Sequence, residues 1–344
     1  PMARDGAGAR PLSYPEIRDL LRDHPLPAAF VDLDAFDRNL ARVVALLAPR
    51  ATPLRVASKS LRVVALLRRL LERGGGALRG LMCYAVAEAA FLAAQGFDDL
   101  LVAYPAHQLA DVDLAARLVA EGVTLSLVAD SPEGLARIAA AARSRSVEVA
   151  VVLCVDMSLR LAGGRVHVGV RRSPLHEIGH VVEMARRVAA TPGARFHGLM
   201  AYEAQVAGLG DDNPFEPALN SIKSWLRRAS TAELGRRRSA MVDALRAAGL
   251  PPTLVNGGGT GSLDSTTPAS GVTEVTAGSA FFKPHLFDYY KSAHLRALEP
   301  ACFFALEATR RPSADMVTCL GGGYVASGAV GRDKVPIPWL PRGL

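Results

Sequence analysis

The chain has 344 residues, half of them hydrophobic and 21% charged, with 31 Gly and 22 Pro. That composition supports a large core in one or two domains and excludes a disordered chain. The net charge of +7 rests on 35 Arg and only 5 Lys against 33 acidic residues. They are scattered without interleaved aromatic residues, so they define no nucleic-acid surface.

No uncharged apolar run approaches the roughly 18 residues of a membrane-spanning helix, and the first twenty-odd residues lack a secretory apolar core. Residues 1–26 read as an N-terminal extension in which Pro1-Met2 marks an expression remnant ahead of a native start. The four cysteines, Cys83, Cys154, Cys302 and Cys319, have no C-x-x-C spacing and read as reduced thiols of a cytoplasmic protein.

From residue 27 the chain alternates short apolar runs with longer helical ones. The pattern predicts strands at 29–33, 54–58, 81–84, 100–104, 124–129, 149–155, 196–202 and 253–256, most of them continuously apolar as strands buried on both faces should be. Helices are expected over 34–47, after an aspartate-rich entry, and over 61–71, stopping at Gly74-Gly75-Gly76. Another should open at Ser131-Pro132, with Ser as cap and Pro at the first helical position. Eight such alternations in about 250 residues match a closed (β/α)8 barrel of the TIM type; a doubly wound open sheet is the alternative. After about residue 275 the rhythm changes. Runs at 302–309 and 316–320, with Gly321-Gly322-Gly323 as a turn, predict antiparallel strands. Residues 286–344 are therefore expected to be part of a second, β-rich domain that is incomplete at its C-terminus.

Functional residues of such barrels gather at the C-terminal strand ends. Here these are Lys59, Tyr84, Tyr104, Asp130, Asp156 with Arg160, Tyr202 with Glu203, and the loop opening at Asn256. Of the five lysines only Lys59 ends a buried strand. Desolvation and the neighbouring Arg55 and Arg62 would both favour its neutral amine, the form needed for Schiff-base chemistry. Position alone also suits a lysine reaching from a strand end to water. The loop Asn256-Gly257-Gly258-Gly259-Thr260-Gly261-Ser262 follows what counts as the eighth strand, where barrels commonly bind phosphate. It has neither dinucleotide nor P-loop spacing, and an ordinary glycine-rich turn would look alike. Lysine and loop together suggest a phosphorylated aldehyde cofactor.

The stretches FVDLDAFDRNL and RVASKSL, then EAAFLAAQGFDDLLVAYP (88–105), HGLMAYEAQ (197–205), VNGGGTGS and TEVTAGS (273–279), resemble the alanine-racemase-like, fold-type III pyridoxal phosphate (PLP) enzymes. Within them the chain looks most like the D-threonine aldolase and D-serine dehydratase branch, over most of residues 27–290. The resemblance implies that Lys59 bonds the cofactor aldehyde, that Gly257, Gly258, Gly259, Thr260 and Gly261 hold the phosphate, and that Asn256 and Ser279 also bind the cofactor. It also puts Tyr202 beside the ring and Arg160 near the pyridine nitrogen, at a spacing from Asp156 one residue shorter than the family's. Arg55, four residues before Lys59, also matches, whereas the histidines that usually flank that lysine are absent. Tyr289, in AFFKPHLFDYY, would either touch the cofactor or join an aromatic cluster packing barrel against second domain. The resemblance implies a divalent metal held by a His and a Cys near the C-terminus. No such pair follows Gly321, so the chain is expected to be truncated or to lack the metal, whose ligands stay unknown.

One motif points elsewhere. His176-Glu177-Ile178-Gly179-His180 is an H-E-x-x-H, the helix signature of zinc peptidases. Helical phasing instead places His176, His180, Glu183 and Arg187 on a solvated face opposite a buried stripe of Leu175, Ile178, Val181, Val182, Ala185 and Val188. The expected function is a PLP-dependent lyase that breaks or forms the Cα–Cβ bond of a β-hydroxy-α-amino acid of D configuration, with an amino acid and an aldehyde as its small-molecule partners. Dehydration or racemisation on the same scaffold, and a non-catalytic PLP-binding protein, are the alternatives. A homodimer is expected from the resemblance, with neither nucleic acid nor membrane as partner.

Overall fold

The computed structural model describes residues 12–321 and 331–343. Its strands are β1 (Ala28–Val31), β2 (Leu54–Ala57), β3 (Leu78–Cys83), β4 (Leu100–Val102), β5 (Leu125–Ala129), β6 (Val149–Cys154), β7 (Leu159–Leu161), β8 (Val166–Val168), β9 (Ala194–Met200), β10 (Leu254–Gly257), β11 (Glu274–Ala277), β12 (Cys302–Ala305), β13 (Glu307–Ser313) and β14 (Met316–Leu320). Eight of them close a parallel barrel in the order β2-β3-β4-β5-β6-β9-β10-β11, with β11 returning to β2. The expected (β/α)8 architecture with separate β-rich strands is what the chain forms.

The helices start where side chains can satisfy their first donors. Asp32 accepts the N–H groups of Asp34 and Ala35, each at 3.0 Å, ahead of the helix Leu33–Leu47. Ser131 accepts from Gly134 at 3.2 Å ahead of Pro132–Ser144. Between strands and helices lies the main core, which includes Leu54, Val56, Leu81, Leu100, Leu127, Val151 and Leu199. Because strand side chains alternate, a second set points inward. Leu101, Ala103, Val128, Val152, Cys154, Met200 and Leu254 fill the barrel interior on one side.

The other side of the interior is polar. Arg55 is 3% exposed and forks onto Glu274, itself 2% exposed, through Nε–Oε1 at 2.8 Å and Nη2–Oε2 at 2.9 Å. Arg55 also pairs with Asp99 at 2.8 Å, and Asn256 donates to Glu274 at 2.7 Å and to the Thr276 hydroxyl at 2.8 Å.

The frame of the barrel differs by one strand from the sequence reading. The run at 29–33, counted as the first barrel strand, is β1, which pairs antiparallel with β12 outside the barrel. Its half-buried pattern reflects that edge position. The eighth strand is β11, passed over because Glu274 and Thr276 interrupt its apolar character, although every residue in it is buried. The glycine-rich loop therefore follows the seventh barrel strand, not the eighth. The helix Leu33–Leu47 precedes the first barrel strand and packs where a helix after the eighth would lie. Phe36 meets the rings of Phe281 and Phe282, Asn39 donates to the Phe281 carbonyl at 3.1 Å, and Asp37 pairs with Arg69 of the next helix.

The predicted run at 302–309 divides into β12, which pairs with β1, and β13, which forms an exposed antiparallel hairpin with β14. Gly322 and Gly323 of the predicted turn lie outside the described residues. Among those described, no helix is long and apolar enough to cross a membrane.

Removing one partner of a buried ion pair strands the other, at a cost of about 3–5 kcal/mol. Arg55→Met is therefore expected to lower unfolding free energy by that order in a urea titration followed by circular dichroism. The double variant R55M/E274L is expected to regain most of the loss.

Candidate active site

Parallel strands bring all their C-terminal ends to one rim. Three ends adjacent in the barrel, those of β10, β11 and β2, carry the glycine-rich loop, a Gly-Ser turn and Lys59. With neighbouring strands about 4.8 Å apart, these groups share roughly 10 Å of rim.

Lys59 sits half-buried in the tight turn Ser58–Ser60 directly after β2. The Ser58 hydroxyl lies 2.9 Å from the Met82 carbonyl and 2.6 Å from Glu88 Oε1, which fastens the turn to the end of β3. Arg55 is not the uncompensated cation expected beside Lys59, because Glu274 and Asp99 balance its charge. On the other side, Gly278 lies so close that a Cβ there would stand 2.6 Å from the Ala57 carbonyl oxygen and 2.8 Å from Ser60 Cβ. The Ser279 hydroxyl is 3.2 Å from that of Ser60.

In the glycine-rich loop, Gly258 has φ +88°, in the left-handed region that suits glycine, and donates its N–H to both oxygens of Glu203 at 3.1 Å. Thr260–Ser262 then form a 3-10 turn, in which Ser262 N–H reaches the Gly259 carbonyl at 2.9 Å. The first amides of such a turn have no acceptor within it. Here they belong to Thr260 and Gly261, an arrangement suited to an anion. Close packing leaves no room for side chains. A Cβ on Gly259 would stand 2.8 Å from Ala207 Cβ and 3.0 Å from the Tyr202 ring, and one on Gly261 would overlap the Ala207 carbonyl oxygen.

Tyr202, at the end of β9, thus borders the loop. Burial raises its phenol above the ordinary value, so at neutral pH it is an O–H donor. Over its face lies Arg172, with the guanidinium 5.0 Å from the Tyr202 centroid and 5.6 Å from that of Tyr104 at the end of β4. Arg172 spans the mouth from one strand end to another and is absent from the residues singled out in the sequence. Among 35 arginines nothing local marks it; the two strand-end tyrosines that receive it are the signal, and only folding joins them.

Lys59, Tyr202, Gly257–Gly261 and Ser279 come together on the rim. The side chains of four other predicted residues have the following partners. Arg55 and Asn256 belong to the polar barrel interior, with their donors committed to Glu274, Asp99 and Thr276. Arg160 pairs with Asp156 at 3.0 Å on the small β7–β8 hairpin. Burial works to raise the Asp156 carboxyl, but the Ser158 N–H and Arg160 outweigh it and hold the group below its ordinary value. Tyr289 packs edge-on against Phe215 and His285, each with centroids 5.9 Å away, in the aromatic-cluster arrangement. Its neighbour Tyr290 is the ring that backs the loop, donating to the Ala207 carbonyl at 2.9 Å beside Gly261.

The H-E-x-x-H motif does not lie on one helix, which begins at Ile178 with Glu177 as its cap. His176 meets Glu177 and Arg237, whereas His180 is exposed. Val181, Ala185 and Val188 are buried as the phasing predicts. Among the described residues, no three His, Cys, Asp or Glu side chains converge to hold a metal ion.

Residues 31–285 match the family described as alanine racemase, N-terminal domain, and the chain belongs to that family. It is 28% identical over 256 residues to a 3-hydroxy-D-aspartate aldolase of Paracoccus denitrificans strain Pd 1222, covering 74% of this chain and 60% of that protein. It is 30% identical to a D-threo-3-hydroxyaspartate dehydratase of Delftia sp. strain HT23, covering 77% of this chain and 63% of the relative. The crystal structure of D-threonine aldolase from Filomicrobium marinum superposes with a TM-score of 0.71 at 22% identity, over 87% of this chain and 74% of that one, and shares the fold. The chain thus spans about three fifths of the length of the hydroxyaspartate aldolase it matches.

Overpacking a close-packed position costs about 1–3 kcal/mol. Gly261→Ala, which drives a methyl into the Ala207 carbonyl, is expected to lose that much stability in urea. Gly179→Ala, on an open helix surface, is expected to gain about 0.5 kcal/mol in the same assay.

Proposed function

We propose that the chain is a PLP-dependent lyase that cleaves, or in reverse forms, the Cα–Cβ bond of a β-hydroxy-α-amino acid of D configuration. The observation that carries this reading is the placement of Lys59 on a turn that adjoins, strand by strand, the Gly278-Ser279 turn and the glycine-rich loop. Two features fit the cofactor. Lys59 has no carboxylate partner among the described residues, and the Thr260 and Gly261 amides have no acceptor within their 3-10 turn. When bound, PLP supplies the electron sink that accepts the pair left at Cα.

In this assignment Lys59 would hold the aldehyde end of the cofactor at the β2 rim through its amine. The Thr260 and Gly261 amides, with the Thr260 and Ser279 hydroxyls, would hold the phosphate. Tyr202 stays protonated and would flank the cofactor ring, while Arg172, lying over Tyr104 and Tyr202, would offer a cation to a substrate carboxylate. Covalent and electrostatic anchoring at opposite ends fixes the orientation in which one bond at Cα is broken rather than another. Dehydration on the same residues is the second reading, favoured by the identity to the Delftia dehydratase. The homodimer and the cytoplasmic setting belong to the same proposal, and light scattering of the purified protein tests the former.

The purified protein is expected to be yellow, to bleach with borohydride and to yield a pyridoxyl-modified Lys59 peptide. With D-3-hydroxyaspartate, retro-aldol cleavage gives glycine and glyoxylate, whereas dehydration gives oxaloacetate and ammonia. D-Threonine would give glycine and acetaldehyde. Lys59→Ala is expected to abolish both the bleachable absorbance and turnover. A colourless wild-type protein that takes up no added PLP overturns the proposal.

A further inference from the structure

Glu203 follows Tyr202 at the end of β9 but turns the other way, as successive residues at a strand end do. Tyr202 faces the mouth. Glu203 is 2% exposed and lies behind the glycine-rich loop, where it cannot reach a substrate. Its carboxylate accepts the Gly258 N–H at 3.1 Å and the Thr266 hydroxyl, lies 3.5 Å from the Ser262 hydroxyl, and pairs with Arg238 Nη2 at 3.2 Å. One side chain therefore gathers the start of the loop, the 3-10 turn that ends it, the short helix Leu263–Thr266 and the long helix Asn220–Ala247.

The pair is neutral as a unit. Arg238 is also 2% exposed, and it lies against the loop itself, since a Cβ on Gly257 would stand 3.2 Å from Nη2. An anion in front of the loop thus meets amides backed by no net negative charge. Gly258 spends its own N–H on Glu203, and two residues further on the Thr260 and Gly261 amides open the 3-10 turn with no acceptor inside it.

We propose that Glu203 is a positioning residue for anion binding: through Gly258, Thr266 and Arg238 it holds the glycine-rich loop in the conformation that receives a phosphate. This rests on the reading of the loop as the phosphate site of PLP and adds the residue that sets its shape. A glutamine at this position keeps the volume but turns one acceptor into a donor facing other donors, and it leaves Arg238 buried without its counter-charge. The loop must then move.

The test compares two ligands that differ only in the phosphate. Full-length apoprotein is titrated with PLP and with pyridoxal, read by absorbance of the Lys59 adduct. Glu203→Gln is expected to raise the Kd for PLP at least tenfold while changing that for pyridoxal less than twofold. Inorganic phosphate, which competes with PLP on the wild type, is expected to compete more weakly on the variant. Should E203Q not fold, Thr266→Val removes one bond to the carboxylate and leaves its charge; a two- to fivefold loss confined to PLP is then the expected result. Equal losses for both ligands, or an unchanged PLP Kd, would identify a purely structural pair and overturn the proposal. A wild type that binds neither ligand overturns the PLP reading along with it.

Discussion

Arg55 and Glu274 face each other inside the barrel at the seam where its first and last strands, β2 and β11, meet. All of the functional geometry depends on that seam closing in one register. Two buried charges would be costly apart, so the strands bearing them can pair in only one way without leaving a charge unmatched. Asn256 on β10 and Asp99 before β4 join the same network, so the register extends to both sides. Two residues beyond Arg55 the strand ends, and two further lies Lys59. Beyond Glu274 the strand ends at Ala277, and Gly278-Ser279 follows against Ser60. The ion pair inside the barrel thus sets which rim residues become neighbours.

That network also explains what could and could not be read in the sequence. Apolar runs reveal strands whose two faces are both greasy, and β4, β5 and β6 stand out for that reason. β11 carries Glu274 and Thr276 inward, so its burial depends on an arginine 219 residues away, and hydropathy passed over it. β1 looked like a barrel strand because all four of its residues are apolar, yet those contacts serve a two-stranded ribbon with β12. Lys59 was legible because lysine is scarce here and a strand end is an unusual place for one. The glycine loop was legible because its glycines are local. Arg55, Asn256, Arg160 and Tyr289 lay in the right segments, but which partner each side chain chooses is a property of the fold. Arg172 had no local mark at all.

The rim shows how one strand end can serve two sides of a loop. Tyr202 and Glu203 are consecutive, and the glycine-rich loop passes between the faces they present. Gly259 must lack a side chain to lie against Tyr202, and Gly258 must reach the left-handed region to give its amide to Glu203. The glycines answer to the residues in front of and behind them as much as to any anion. Arg172 supplies the complementary feature on the open side, where a planar cation lies over two phenol rings and is held without spending its charge on a carboxylate.

The seam has a temporal consequence. On the ribosome β2 emerges some 219 residues before the glutamate that neutralises its arginine. At 5–20 residues per second that interval is roughly 10–40 s. Through it Arg55 stays in water, the wall of the barrel stays open, and the lysine turn has neither Gly278 nor the glycine-rich loop beside it. A nascent chain of this fold can present the Lys59 amine to solution before the rim around it has gathered. A ligand that needs all three strand ends finds them adjacent only once that closure is complete.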